Sequence, residues 1–139
     1  MPACRTQAVS GRLFVYGSLR SDAPRKRAGA KRAFEALAAG AELGGRATIT
    51  GRLFVPSWYP GFVPGGSGQV VGEVWRIRDS GLLGRLDGYE GEAYIREQRE
   101  AVLEAGSTVT AWVYRYAADL SGVSEIASGD YLGWVRNPG

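Results

Sequence analysis

Glu90, within the segment 86–91, is the first residue whose type and position suggest chemistry. Leu82, Leu86 and Glu90 are spaced by four, so the carboxyl group falls on or just past the buried face of a helix, at its C-terminal end. The negative end of the helix dipole and partial burial both raise the pKa of a carboxyl group at such a place. A glutamate with a pKa near neutrality can act as both base and acid. An ordinary solvent-facing glutamate at a helix end is the alternative that spacing leaves open.

A second feature is the tetrapeptide Tyr16-Gly17-Ser18-Leu19, which follows a short apolar segment. A strand that breaks at Gly17 and Ser18 can turn its next N–H groups outward and form a nest for an anion such as a carboxylate. Glycine matters at this place because a side chain would block the close approach of a ligand. An ordinary turn is the alternative interpretation of these four residues.

The residue types that are absent restrict the chemistry. The chain has no histidine and one cysteine, so a Ser-His-Asp or Cys-His catalytic set is impossible, and Ser18 is not expected to be a nucleophile. A zinc site is not expected without histidine or paired cysteines, and the acidic residues show no metal-binding spacing. We therefore expect no cofactor, and proton transfer is left to Glu, Asp, Lys or Tyr.

Length and hydropathy indicate one domain. The 139 residues suffice for a single core, and we expect a flexible N-terminus at 1–11, one domain at 12–135 and a tail at 136–139. No apolar run approaches the roughly 18 residues of a membrane span. The first residues lack the apolar region of a secretory signal. We expect a cytoplasmic protein with no membrane partner.

The charge balance is mildly basic. Lysine and arginine number 17 against 14 acidic residues, a net charge of +3. Part of the excess lies in a basic cluster at 25–32, which is either a nucleic-acid patch or the solvated face of a helix. We expect the second and therefore no nucleic-acid partner, because the rest of the chain mixes both signs and aromatic residues do not interleave with the cluster.

Hydrophobic patterns predict the element order β-α-β-β-α-β-β. The predicted elements are a strand at 12–16, a helix capped by Ser21 or Asp22 that ends at Gly40, strands at 47–55 and 69–78, a helix capped by Asp79 or Ser80, and strands at 94–103 and 108–116. The segment 56–68, rich in proline and glycine, is expected to form a loop. This order indicates an α+β domain, either a small mixed β-barrel or a curled sheet with two flanking helices.

Three further residues are candidates for a site. Glu73 occupies an apolar position of a predicted strand, and we interpret it as a buried acid paired with Arg96 or Arg115, because an unpaired buried charge is costly. Tyr94 and Tyr114 could line a pocket with their hydroxyl groups, or could pack in the core.

Six motifs, in their order along the chain, resemble the γ-glutamylcyclotransferase-like family. They are Leu13–Leu19, Trp58–Gly65, Gly72–Trp75, Leu86–Gly91, Tyr94–Arg96 and Ala111–Tyr114, and the closing segment Ser128–Tyr131 fits as well. The resemblance covers the chain from about residue 12 to residue 131. It implies a small mixed β-barrel with flanking helices.

The resemblance also implies an activity and a site. Family members release 5-oxoproline from γ-glutamyl amines, γ-glutamyl amino acids or ε-linked γ-glutamyl-lysine. Glu90 matches the family's catalytic glutamate, the turn Tyr16–Leu19 matches its ligand-binding turn, and Tyr94 and Tyr114 match tyrosines that border the pocket. After Leu19 the chain departs from many relatives and continues into an unusually basic helix, a difference that bears on substrate choice.

The resulting hypothesis is a cofactor-independent γ-glutamyl cyclotransferase that acts on a small-molecule substrate, with Glu90 as general base and acid. In this hypothesis the substrate's own amine attacks its γ-carbonyl group. A non-catalytic domain that binds a small carboxylate is the alternative.

Overall fold

A mixed β-sheet that closes into a barrel forms the centre of the protein. The computed structural model describes residues 11–57 and 59–136. The strands are β1 (Arg12–Val15), β2 (Ala41–Val55), β3 (Gly61–Ile77), β4 (Tyr94–Leu103), β5 (Thr108–Tyr116) and β6 (Ser124–Glu125). The helices are α1 (Ala28–Gly40), α2 (Leu82–Glu90) and α3 (Tyr131–Arg136).

The barrel closes because β1 pairs with a strand on either side. It runs antiparallel to β3 and parallel to β5. The circuit continues through antiparallel pairs of β3 with β2, β2 with β4, and β4 with β5, while β6 adds to β2. The predicted α+β fold, a small mixed β-barrel with flanking helices, is thus confirmed, and α3 is an additional short helix.

Apolar side chains pack on both sides of the barrel wall. One buried cluster includes Phe14 and Phe62, and a second, beneath α1 and α2, includes Leu13, Leu37 and Leu82. Successive strand residues point to opposite faces, which is why the neighbours Leu13 and Phe14 belong to different clusters. Because β1 is buried on both faces, the place where it ends is held firmly.

The first helix begins later than predicted. Ser21 and Asp22 do not cap it, since α1 starts at Ala28 with Arg27 as its N-cap residue. The reason is that both polar side chains have other partners: the Ser21 hydroxyl donates to Glu73, and Asp22 pairs with Arg20. The segment before α1 forms successive turns instead of helix.

The loop expected at 56–68 is also shorter than predicted. Strand β3 begins at Gly61 and pairs along this segment with β2, with Pro64 opposite Gly51. Gly65 and Gly66 have φ angles of 103° and 77°, in the region that favours glycine. These two glycines allow β3 to bend and to continue. Strand β2 also starts earlier than predicted, at Ala41 instead of residue 47.

Some predictions fall outside the described part of the chain. The predicted N-terminus 1–11 and tail 136–139 lie almost wholly beyond it, as does Trp58. The domain bounds therefore stay a prediction. Within the described ranges, no helix is both long enough and apolar enough to cross a membrane.

Candidate active site

A cavity of about 390 Å³ opens where β1 ends, within the range of roughly 300–1,000 Å³ that small-molecule sites occupy. The end of α2 and the start of α1 flank it. Its described lining residues are Phe14, Val15, Tyr16, Gly17, Ser18, Leu19, Arg27, Gly29, Ala30, Tyr59, Pro60, Tyr89, Glu90, Ala93, Tyr94 and Tyr114. The catalytic and substrate-binding residues predicted from the sequence, Tyr16–Leu19, Glu90, Tyr94 and Tyr114, are all in this set, whereas the further candidate Glu73 is not. The fold thus brings together groups that are far apart along the chain.

Glu90 is the last residue of α2 and is partly buried at the cavity wall. The helix ends here because Gly91 adopts a φ of 84° and donates its N–H to the carbonyl of Asp87. Burial, and secondly repulsion from the Asp87 carboxylate, raise the pKa of Glu90 to about 8. A carboxyl group with this pKa can both accept and donate a proton near neutral pH.

The turn that follows β1 lines the cavity with Gly17, Ser18 and Leu19. The Arg20 N–H donates to the carbonyl of Gly17 at 3.0 Å, and the Arg25 guanidinium donates to the carbonyls of Ser18 and Arg20. Among the described residues, the N–H groups of Gly17, Ser18 and Leu19 meet no acceptor. Consecutive backbone N–H groups in a turn that lines a cavity are suited to bind an anion.

Glu73 holds this turn from behind. Its side chain, 6% exposed, accepts the Ser21 N–H at 2.7 Å, the Ser21 hydroxyl at 2.5 Å and the Trp75 indole N–H at 3.3 Å. These three donors stabilise the buried carboxylate without a cation. The turn is therefore anchored to β3.

The predicted pairing of Glu73 with Arg96 or Arg115 is wrong. Arg96 pairs with Asp87 at 2.8 Å and Arg115 with Glu97 at 2.6 Å. Both arginines satisfy more exposed carboxylates, which avoids the cost of burying a guanidinium group.

Arg20 fixes the other side of the turn. Its guanidinium group, 1% exposed, pairs with Asp22 at 3.1 Å and with Asp130 at 2.9 Å. Asp130 also accepts the N–H of Leu132 in the first turn of α3. The chain around the cavity is thus tied to a segment more than a hundred residues later.

Glu73→Ala should weaken substrate binding more than it lowers the turnover rate of the substrate once bound. The change leaves the Ser21 N–H without its acceptor, which should cost about 2–3 kcal/mol of the free energy of unfolding and raise KM about tenfold as the turn loosens. Steady-state kinetics and denaturant unfolding measure the two effects. Glu125→Ala, which breaks the exposed pair with Arg52, is the control and should alter neither much. An unchanged KM in Glu73→Ala would contradict the positioning role.

The tyrosine hydroxyl groups are occupied within the protein. Tyr16 donates to the carbonyl of Tyr114 at 2.7 Å, Tyr94 to the carbonyl of Pro60 at 2.6 Å, and Tyr114 to Asp87 at 2.7 Å. Burial raises the pKa of Tyr16, Tyr94 and Tyr114. These residues therefore present ring surfaces to the cavity, and their hydroxyl groups fix the wall.

Several cavity residues were not singled out from the sequence. Tyr89 lies beside Glu90, and its hydroxyl is 3.0 Å from that of Ser18, so it links α2 to the turn. Because Tyr89 immediately precedes Glu90 in the sequence, its position could have indicated that it lies at the site. Arg27 belongs to the basic cluster that was interpreted as a solvated helix face.

Gly17→Ala should weaken the binding of a carboxylate ligand about tenfold, a change of about 1.4 kcal/mol. The added Cβ atom would lie 2.8 Å from Cγ of Pro60, so either the turn or Pro60 must shift, and both line the cavity. Calorimetry with 5-oxoproline measures the affinity. Gly84→Ala, in α2, is the control, because its Cβ meets no atom within 4 Å. Equal affinity in Gly17→Ala and the wild type would argue against a ligand at the turn.

Comparison with known proteins gives the family. Residues 13–133 match the model of the family described as gamma-glutamyl cyclotransferase, AIG2-like, and the chain belongs to this family. The gamma-glutamylcyclotransferase family protein YtfP of Escherichia coli K12 is 37% identical over 124 residues, covering 87% of this chain and 96% of YtfP. The resemblance drawn from the six motifs is thereby confirmed.

Solved structures agree with this assignment. The solution structure of ytfP from Escherichia coli has a TM-score of 0.62 at 35% identity, covering 87% of this chain and 96% of that one. The crystal structure of a mouse AIG2-like protein has a TM-score of 0.63 at 24% identity and covers 78% of each chain. The second likeness shows the shared fold alone. Family membership suggests cyclotransferase activity on a small molecule.

Proposed function

We propose that this protein is a γ-glutamyl cyclotransferase that releases 5-oxoproline from a γ-glutamyl amine or γ-glutamyl amino acid. The observation that supports this best is one cavity lined both by Glu90, a carboxyl group with a pKa of about 8, and by the turn Gly17–Leu19, whose N–H groups have no acceptor among the described residues. The N–H groups suit a carboxylate, and Glu90 suits proton transfer near neutral pH. Family membership supports the same reaction class.

In the proposed reaction the N–H groups of Gly17, Ser18 and Leu19 bind the substrate's α-carboxylate. Ionised Glu90 takes a proton from the α-ammonium group, and the freed amine attacks the γ-carbonyl carbon. A C–N bond forms within the substrate and closes a five-membered ring. The original amide C–N bond breaks as Glu90 returns the proton to the departing amine. Glu90, ionised again, takes the second proton from the ring nitrogen, which ends as the amide N–H of 5-oxoproline, and releases that proton to solvent when the products leave.

This mechanism relies on positioning. Nucleophile and electrophile belong to one molecule, and well-oriented intramolecular attack can lower the barrier by roughly 7–11 kcal/mol. The anchored turn and the fixed tyrosine rings supply a rigid wall against which the substrate folds. The proposed reaction uses only groups that line the cavity. The cytoplasmic location is a separate prediction from the sequence.

Incubation of the purified protein with a panel of γ-glutamyl amines and γ-glutamyl amino acids tests the proposal. Chromatographic detection of 5-oxoproline together with the free amine, in equal amounts, is the expected result. Saturable binding of 5-oxoproline with no turnover of any panel member would refute it and would favour a non-catalytic carboxylate-binding domain. If the protein neither binds 5-oxoproline nor turns over any panel member, the cyclotransferase proposal and the carboxylate-binding alternative are both refuted.

A further inference from the structure

Arg25, the first residue of the basic cluster at 25–32, contacts the backbone of the turn that follows β1. Nη1 of its guanidinium group donates to the carbonyl of Ser18 at 3.2 Å and to the carbonyl of Arg20 at 2.7 Å. Ser18 is one of the described residues that line the cavity, and Arg25 is not. The cation therefore approaches the turn from the side of these carbonyl oxygens.

The ring of Phe34, in α1, holds the guanidinium group in place. The Cζ atom of Arg25 lies 3.7 Å from the centroid of this ring, a distance at which a cation is attracted to the aromatic face. Phe34 in turn packs edge-on against Trp75 of β3, with ring centroids 5.9 Å apart. Arg25 is thus tied to a helix and to the barrel, so its donors stay at the turn.

A contact on a carbonyl oxygen also sets the direction of an N–H group. In a planar trans peptide unit, the C=O of one residue and the N–H of the next point in opposite directions. The unit that joins Arg20 to Ser21 shows the consequence. Its carbonyl accepts from Arg25, and its N–H donates to the carboxylate of Glu73 at 2.7 Å.

The unit that joins Ser18 to Leu19 has the same contact with Arg25 on its carbonyl oxygen. The Leu19 N–H therefore points away from the guanidinium group, and it meets no acceptor among the described residues. A cation bonded to the carbonyl polarises the amide, which makes the N–H group a stronger donor. At Ser21 a carboxylate takes the place opposite Arg25, so the equivalent place at Leu19, a cavity-lining residue, suits the carboxylate of a ligand.

We propose that Arg25 is a positioning residue: by donating to the Ser18 carbonyl, it orients and polarises the Leu19 N–H group for the substrate's α-carboxylate. This inference rests on the proposed function and adds to it a residue that acts through the turn. Arg25 takes no part in proton transfer.

A matched pair of ligands isolates the effect. 5-Oxoproline and 5-oxoprolinamide share the same ring, but the second has a neutral carboxamide in place of the carboxylate. Calorimetry gives the affinity of each ligand for the wild type, Arg25→Met, Arg25→Gln and Lys26→Met. Lys26 is exposed and is not among the described lining residues, so its variant controls for the loss of one neighbouring positive charge.

Arg25→Met should weaken the binding of 5-oxoproline about tenfold and that of the carboxamide about twofold at most, because a neutral ligand gains less from a polarised N–H group. Arg25→Gln should show the same selective loss, and it replaces Arg25→Met if circular dichroism shows that variant to be unfolded. Lys26→Met should match the wild type. With a γ-glutamyl substrate, the Arg25 variants should raise KM and leave kcat within about twofold.

Equal losses on both ligands would overturn the inference, because Arg25 would then only support the fold of the turn. Unchanged binding of 5-oxoproline in both Arg25 variants would overturn it alone and leave the proposed function standing. If the wild type neither binds 5-oxoproline nor releases it from any γ-glutamyl compound, the proposed function is refuted, and this inference falls with it.

Discussion

Glu90→Gln is expected to lower the release of 5-oxoproline by about 10²-fold or more while the fold persists. The amide has the size of the carboxyl group but can neither take the proton from the substrate's amine nor return it to the departing amine. Leu82, Leu83 and Leu86, which anchor α2 to the core, are untouched. Initial rates at saturating substrate measure the loss, and circular dichroism reports on the fold.

Glu92→Gln is the matched control for this experiment. Glu92 is exposed two residues further along, past the end of α2, and does not line the cavity. It should retain wild-type turnover, and the Glu90→Gln variant should still bind 5-oxoproline in calorimetry. Retained turnover in Glu90→Gln would exclude Glu90 from the mechanism, whereas equal losses in both variants would indicate a general effect of lost negative charge.

The position of Glu90 was predictable because the information is local. Leucines spaced by four determine which face of α2 is buried, and Gly91 then ends the helix just after the acid. The strands β4 and β5 have the predicted bounds for a similar reason, because the short turn between these two alternating segments determines where β4 ends and β5 begins. Patterns within about ten residues were sufficient for these elements.

The partners of Ser21 and Glu73 were not predictable, because their contacts depend on the closed barrel. Ser21 has the properties of a helix cap, yet the barrel brings it against Glu73, 52 positions away, and that contact replaces the local one. Arg20 likewise pairs with a carboxylate 110 positions away. Neighbouring charges in the sequence do not reveal such pairs, which is why the predicted helix start was wrong.

The role of the tyrosines shows the same limit. The family resemblance places Tyr94 and Tyr114 near a pocket, and both line the cavity. Their hydroxyl groups, however, donate to Pro60 and Asp87. Which end of a side chain faces a ligand follows from these hydrogen bonds, and they form between elements that only the complete fold brings together.

The protein should become less stable relative to its Glu90→Gln variant as pH rises from about 4.5 to about 8. The pKa of Glu90 is raised from 4.5 to about 8 in the folded state by burial. Between these values the unfolded chain releases the proton and the folded chain retains it, so ionisation favours unfolding. Below pH 4.5 both states are protonated and the variant, which mimics the protonated acid, should match the wild type.

Denaturant unfolding of the two proteins across this pH range measures the difference. Above pH 8 the difference should level off, with the variant more stable by a few kcal/mol at most. Other carboxyl groups, such as Asp22 and Glu97 with their lowered pKa values, are present in both proteins and cancel from the comparison. A constant offset at every pH would show that the substitution acts through packing and that the raised pKa is wrong. A widening gap would mean that the acid we propose for proton transfer reduces the stability of the folded state near neutral pH.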